Sequence, residues 1–168
     1  IIFSDILMLP YGLGQKVEFI KNFGPRLEEL NLNNIAKINE IDFVQKIKPV
    51  YQAIKKVSFD PILKNKNTIG FVGAPWTLLV YMINQQSPKR ELKSDFFRDD
   101  LHIKRTLSII EKFLKVHIKN QIDSGANVIQ IFDSWAGLLE ERHLPKYIYT
   151  PTVNLVNYVK SLNTPVIC

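Results

Sequence analysis

The sequence predicts an α/β fold of parallel strands alternating with helices, on three observations. Four short runs rich in β-branched and aromatic residues, at 1–3, 68–72, 126–132 and 165–168, are separated by stretches of helical character. Strand–helix–strand alternation of this kind lays the strands side by side in one direction. The runs are almost continuously apolar, as strands covered on both faces are. At 168 residues, with 46% apolar and 23% charged side chains, the chain suits one globular domain and is short for two. No linker, low-complexity tract or internal repeat divides it, so residues 1–168 are read as a single unit.

Taken in order, the first run ends at Ser4-Asp5. Gly12-Leu13-Gly14 offers two glycines, but Val17 stands where a dinucleotide fingerprint needs a third, so a loop is expected. Asn33 or Asn34 is the expected N-cap of a helical segment with Ile35, Ile38, Ile41, Phe43 and Val44 as its apolar positions. Pro49 splits that segment or starts a new helix. The run at 68–72 breaks at Gly73 into a tight turn, and Pro75 fits a first helical position, where its missing N–H is not needed. The helix that follows, 76–83, is apolar almost all round, which marks it as buried, and it carries the phenol of Tyr81. Ile103, Leu107, Ile110, Leu114 and Ile118 recur near the 3.6 period and predict a long helix over 101–122, stopped by Gly125. The third run ends at Asp133-Ser134. Thr150-Pro151 then reads as N-cap and first residue of a helix with Val153, Val156 and Val159 on its apolar face. Periodicity alone does not separate a closed barrel from an open doubly wound sheet.

The formal net charge of +6 raises the question of a nucleic-acid partner. The lysines are scattered through amphipathic segments, as in Lys46-Ile47-Lys48, instead of forming a basic stripe interleaved with exposed aromatics, so solvated helix faces are expected. No apolar run approaches the ~20 residues of a membrane helix. No basic leader with a small-residue cleavage site opens the sequence. Cys168 is the single cysteine, which fits a reducing compartment, and a cytoplasmic location is expected. The sequence opens on Ile1 and closes on Cys168, both inside strand-like runs, and is read as a piece of a longer protein truncated at both ends.

Three runs end on Asp5, on Gly73 and on Asp133-Ser134. If the strands are parallel, these residues share one rim, with Tyr81 leaning in from the following helix. A carboxylate, a phenol and a hydroxyl around a floor of small residues would make a binding pocket. The competing reading is structural: Asp or Ser after a strand often only caps the next helix. Asp133 is expected to orient neighbouring backbone. Trp76 and Trp135 read as core anchors, and Asp99-Asp100 as a helix start. His102, His117 and His143 show no metal-ligand spacing, and no metal site is expected.

Three motifs resemble those of the uroporphyrinogen decarboxylase family: Phe3-Ser4-Asp5-Ile6-Leu7; Gly70-Phe71-Val72-Gly73-Ala74-Pro75-Trp76-Thr77-Leu78 with Tyr81; and Ile131-Phe132-Asp133-Ser134-Trp135-Ala136-Gly137. They occur in the family's order and span nearly the whole chain, although Asn84-Gln85-Gln86 stand where the family usually continues with an acidic residue and glycines. The resemblance implies a partial (β/α)₈ TIM barrel, the second to fifth strands of eight. It implies decarboxylation of uroporphyrinogen, a tetrapyrrole, to coproporphyrinogen, with no cofactor and with a homodimer in the complete protein. Asp5 then corresponds to the catalytic, substrate-binding aspartate, and Tyr81 and Ser134 to substrate-binding residues. The family's arginine-rich motif and a C-terminal histidine have no counterpart in the 168 residues. Two alternatives stand beside this reading. A related zinc- and corrinoid-dependent methyltransferase would need a His-x-Cys motif, and Cys168 has no such histidine before it. A non-catalytic tetrapyrrole- or anion-binding module would also suit the +6 charge.

Overall fold

A computed structural model of the chain describes residues 5–88, 92 and 99–168. The expected first strand, with Phe3 and Ser4, lies outside the described residues.

Three strands form the expected parallel sheet in the order β3 (Ile69–Gly73), β4 (Val128–Phe132), β5 (Val166–Ile167). Gly73 stands opposite Phe132 in the β3–β4 register, and Ile129 opposite Val166 in β4–β5. After β3 the backbone turns at Ala74, and Pro75 opens α5 (Pro75–Asn84), which ends at Gln85 in a left-handed conformation. Every residue of α5 except Tyr81 and Ile83 is buried, as its largely apolar sequence requires.

The long helix α6 (Asp100–Asp123) leads back to β4. Asp99 caps it, its carboxylate accepting the His102 N–H at 2.9 Å, which confirms the Asp99-Asp100 pair as a helix start. Its predicted stripe, from Ile103 to Ile118, is buried in the core that also holds Phe43, Trp76 and Leu155. Gly125 ends it at φ +110°, and a Cβ there would stand 2.5 Å from Ser58, so two constraints demand glycine. Near its C-terminus, the Gln121 side chain accepts the Phe71 N–H and donates to the Phe71 carbonyl, both at 3.0 Å. Because Ala74 N–H donates to Phe132 O, the even-numbered positions of β3 carry the ladder to β4, and Phe71 faces the opposite edge. The buried glutamine amide thus bonds both backbone groups of Phe71 on that edge.

Residues 8–63 depart further from expectation. Short helices α1 (Met8–Gly12), α2 (Leu32–Ile35) and α3 (Glu40–Lys46) and the longer α4 (Lys48–Ser58) share this region with an antiparallel hairpin, β1 (Val17–Ile20) and β2 (Gly24–Leu27). Pro49 sits in the first turn of α4, as expected. The predicted caps Asn33 and Asn34 are corrected: Asn31 caps α2 and Asn39 caps α3, each accepting a backbone N–H three residues on. Asn33 and Asn34 are themselves helical. The Gly12–Gly14 loop is in part a helix end, where Gly12 lies so close to Phe43 that a Cβ would clash at 2.5 Å.

No expectation covered the hairpin. Its strands are mostly exposed and contain Gly24 and Pro25, so they carry little alternation to read. Tertiary bonds hold it instead. The buried Gln15 amide donates to Glu28 O and Met82 O, each at 2.9 Å, and Leu27 N–H donates to Gln85 O at 2.7 Å.

Before β5, a π-helical turn, Pro145–Tyr149, runs into α7 (Thr150–Ser161). Thr150 is therefore inside a continuous helical run and is not an N-cap; the wide turn accommodates the donor missing at Pro151. Among the described residues no helix is long and apolar enough to cross a membrane.

Candidate functional site

Parallel pairing fixes the end of the sheet at which the candidate residues gather. β3 finishes at Gly73 and β4, opposite it, at Phe132, so Asp133-Ser134-Trp135 leave the sheet beside the start of α5. Gly73 makes room for the loop after Asp5: a Cβ there would approach the Ile6 Cβ to 3.2 Å and Leu78 Cγ to 3.0 Å. Asp5 thus stands next to the residue that packs on the C-terminal end of β3. Tyr81 joins from α5, its ring 6.1 Å from the Trp135 ring at 62°. The loop after Asp5, Gly73 and the turn that carries Ser134 beside Tyr81 thus lie at the same end of the sheet.

Asp5 has φ +76°, in the left-handed region, and its Oδ1 accepts the Leu7 N–H at 2.7 Å. That bond closes the turn that leads into α1, whose N-cap is Leu7, so Asp5 shapes a turn and does not cap the helix. Its second oxygen has no partner among the described residues, and the residue is half-buried. Tyr81 is half-buried and Ser134 exposed, and neither hydroxyl makes a hydrogen bond among the described residues.

Asp133 behaves differently. Its Oδ1 accepts the Thr77 hydroxyl at 2.7 Å, and that hydroxyl accepts the Trp135 N–H at 3.3 Å. Its Oδ2 is buried without a partner, as is the Trp135 indole N–H. Burial pushes the Asp133 carboxyl up from its ordinary range, against the pull of Thr77 and of the Trp135 backbone N–H. Trp76, fully buried, donates its indole N–H to Trp135 O at 2.9 Å, so this anchor also fastens the turn. Thr77 was missed in the sequence, yet it is the one polar side chain in the first turn of an otherwise largely apolar helix, and that was the available signal.

The histidines stand apart from this rim. His117 is buried against the Tyr51 hydroxyl at 3.0 Å, and desolvation lowers its pKa to about 4, so it is neutral at pH 7. His102 lies in the first turn of α6, and His143 rests against the Tyr147 ring. Among the described residues no three His, Cys, Asp or Glu side chains group as metal ligands would.

The family model for uroporphyrinogen decarboxylase matches residues 1–168. The chain belongs to the uroporphyrinogen decarboxylase family. Among curated relatives, the uroporphyrinogen decarboxylase of Orientia tsutsugamushi is 42% identical over 165 residues, and that of Rickettsia bellii 38% over 162. Each comparison covers 95% of this chain and 47% of the relative, so the chain spans about half the length of the curated relatives it matches. Of solved structures, a methyltransferase from Methanosarcina mazei superposes with a TM-score of 0.71 over 99% of this chain and 50% of its own, at 18% identity. That likeness concerns the fold alone, and with the family it makes the parallel β3–β4–β5 sheet part of a TIM barrel.

Proposed function

We propose that the protein containing this chain decarboxylates the four acetate side chains of uroporphyrinogen to give coproporphyrinogen, as the relatives' names suggest. The observation that carries this reading is the convergence of Asp5, Tyr81 and Ser134 on one rim of the β3–β4 sheet, each at a position matching a motif of the family. The arrangement suits the chemistry. Uroporphyrinogen is a flexible macrocycle whose four pyrrole N–H groups point inward. Protonating a pyrrole carbon makes the ring cationic, and it then accepts the electron pair left as carbon dioxide departs. The substrate supplies its own electron sink, so we assign no cofactor.

Asp5 is assigned to the centre of the macrocycle. Its Oδ1 is held by the Leu7 N–H, and its other oxygen is free to accept pyrrole N–H bonds and to stabilise the developing positive charge. A carboxylate fixed by its own backbone turn needs no reorganisation when that charge appears. The unpartnered hydroxyls of Tyr81 and Ser134 are assigned to substrate carboxylates.

We further infer that residues 1–168 are one partial barrel domain: three described parallel strands do not close an eight-stranded ring, and cationic groups against the substrate's other carboxylates would come from elsewhere in the protein. We place the protein in the cytoplasm and expect it to pair as a homodimer. Turnover is the test. The whole gene product, given uroporphyrinogen under anaerobic conditions, should release carbon dioxide and form coproporphyrinogen; binding without turnover would favour a tetrapyrrole-binding module. The 168 residues alone should turn over far more slowly than the whole gene product.

A further inference from the structure

The rim holds a second set of polar side chains that the proposed chemistry leaves unused. The turn after β4 is fastened to α5 at three points. Trp135 N–H donates to the Thr77 hydroxyl at 3.3 Å, the same hydroxyl donates to Asp133 Oδ1 at 2.7 Å, and Trp76 donates its indole N–H to Trp135 O at 2.9 Å. Between these bonds sits Ser134, exposed and unpartnered among the described residues. Four residues beyond Thr77, one helical turn along α5, stands Tyr81, with its ring against Trp135. The two hydroxyls assigned to substrate are thus carried by two elements that meet through Thr77.

The direction of the bonds matters. A hydroxyl has one proton, so Thr77 can receive the Trp135 N–H only if its own proton goes elsewhere, and Asp133 is the acceptor that takes it. The arrangement also departs from what stability alone would select. Asp133 Oδ2 and the Trp135 indole N–H are both buried without partners, whereas buried polar groups in folded proteins are nearly always paired. Asp5, the other aspartate at the rim, fixes its turn with a local bond and leaves no buried orphan.

The geometry points to Thr77 and Asp133 as positioning residues that hold Ser134 and Tyr81 in one frame for binding a substrate carboxylate. The inference rests on the decarboxylase reading for the identity of that substrate. Neither residue touches substrate; Thr77 bridges the two elements and Asp133 orients its hydroxyl.

A double-mutant cycle in the whole gene product tests it, with uroporphyrinogen as substrate. Thr77→Val keeps the shape and removes the hydroxyl, and should lower kcat/KM roughly five- to tenfold, mainly through KM, with Thr77→Ser restoring it. In a Ser134→Ala background, Thr77→Val should have little further effect, because the group it places is gone. Should Thr77→Val fail to fold, Asp133→Leu breaks the same chain from the acceptor end and takes its place in the cycle. Full additivity with Ser134→Ala, or a loss that Thr77→Ser does not restore, would overturn the inference while leaving the decarboxylase reading intact. An unmutated protein without turnover would remove that reading and this one together.

Discussion

Asp5 and Asp133 occupy equivalent places, each just beyond a strand-like run at the same rim, yet they are built in opposite ways. Asp5 bonds within its own turn, to Leu7 N–H two residues on. Asp133 reaches across to another element, to the Thr77 hydroxyl 56 positions away in sequence. One oxygen of Asp5 stays open in a half-buried loop, while the second oxygen of Asp133 is sealed and unpaired. A carboxylate that fixes itself locally keeps one oxygen for a ligand. A carboxylate that holds two elements together is used up by that task, and burial raises its pKa. The same residue type after a strand therefore leaves an oxygen open in one place and ties two elements together in the other.

The most severe test of that contrast is Asp5→Asn. Asn accepts the Leu7 N–H as well as Asp does and tolerates the positive φ of this position, so only the charge is lost. If the carboxylate stabilises a cationic intermediate, kcat should fall about 10²-fold or more in the whole gene product, with an unchanged melting temperature. Near-normal turnover would reduce Asp5 to a turn-forming residue and erase the difference between the two aspartates.

Tyr81→Phe sharpens the comparison from the side of the substrate. The ring contact with Trp135 survives and only the hydroxyl goes, so stability should hold. A hydrogen bond to a charged group contributes roughly 1.5–3 kcal/mol, and kcat/KM should drop accordingly. Unchanged kinetics would make Tyr81 a packing residue.

Asp133→Asn is expected to have a smaller effect on turnover than either, because an amide oxygen still accepts the Thr77 hydroxyl. Its signature lies in stability against pH. The folded-state pKa of Asp133 is raised above its ordinary value. Relative to neutral pH, the native protein therefore gains stability at acid pH, fully present below the ordinary carboxylate pKa and lost as pH rises through the elevated one. Asp133→Asn removes that dependence. Its melting temperature should match or exceed the parent's at pH 7, and the difference should shift toward the parent as pH falls. A melting temperature at pH 7 well below the parent's, measured by calorimetry, would show that the charge itself holds the turn.

A fourth and milder check concerns the core beneath the rim. Tyr51→Phe leaves the His117 Nδ1 without its partner at 3.0 Å and should cost about 1 kcal/mol of stability, read from denaturant midpoints, with kcat unchanged.

Where sequence and structure agree, local rules were sufficient. The run 68–72 is apolar throughout, Gly73 and Pro75 are compatible with few other conformations at a strand–helix junction, and the stripe from Ile103 to Ile118 has one face to bury. These segments carry their own instructions because the period of their apolar residues matches a single kind of element. The candidate residues Asp5, Tyr81 and Ser134 were legible for a related reason: parallel strands necessarily bring their C-terminal ends to one side. The hairpin at 17–27, the caps at Asn31 and Asn39, the helical run through Thr150 and the role of Thr77 were not legible. Each depends on a partner distant in sequence or on a choice among near-equivalent neighbours. Gln15 reaches Met82, Gln121 reaches Phe71, and Thr77 meets Asp133 only after β3 and β4 have paired. The sequence by itself determined the strands β3 and β4, the helices α5 and α6 and the rim at which those strands end, because hydrophobic periodicity acts over a few residues. Which polar groups meet at that rim, and which of two similar aspartates remains free, was decided by tertiary structure, because a hydrogen bond across elements exists only when packing brings donor and acceptor within about 3 Å.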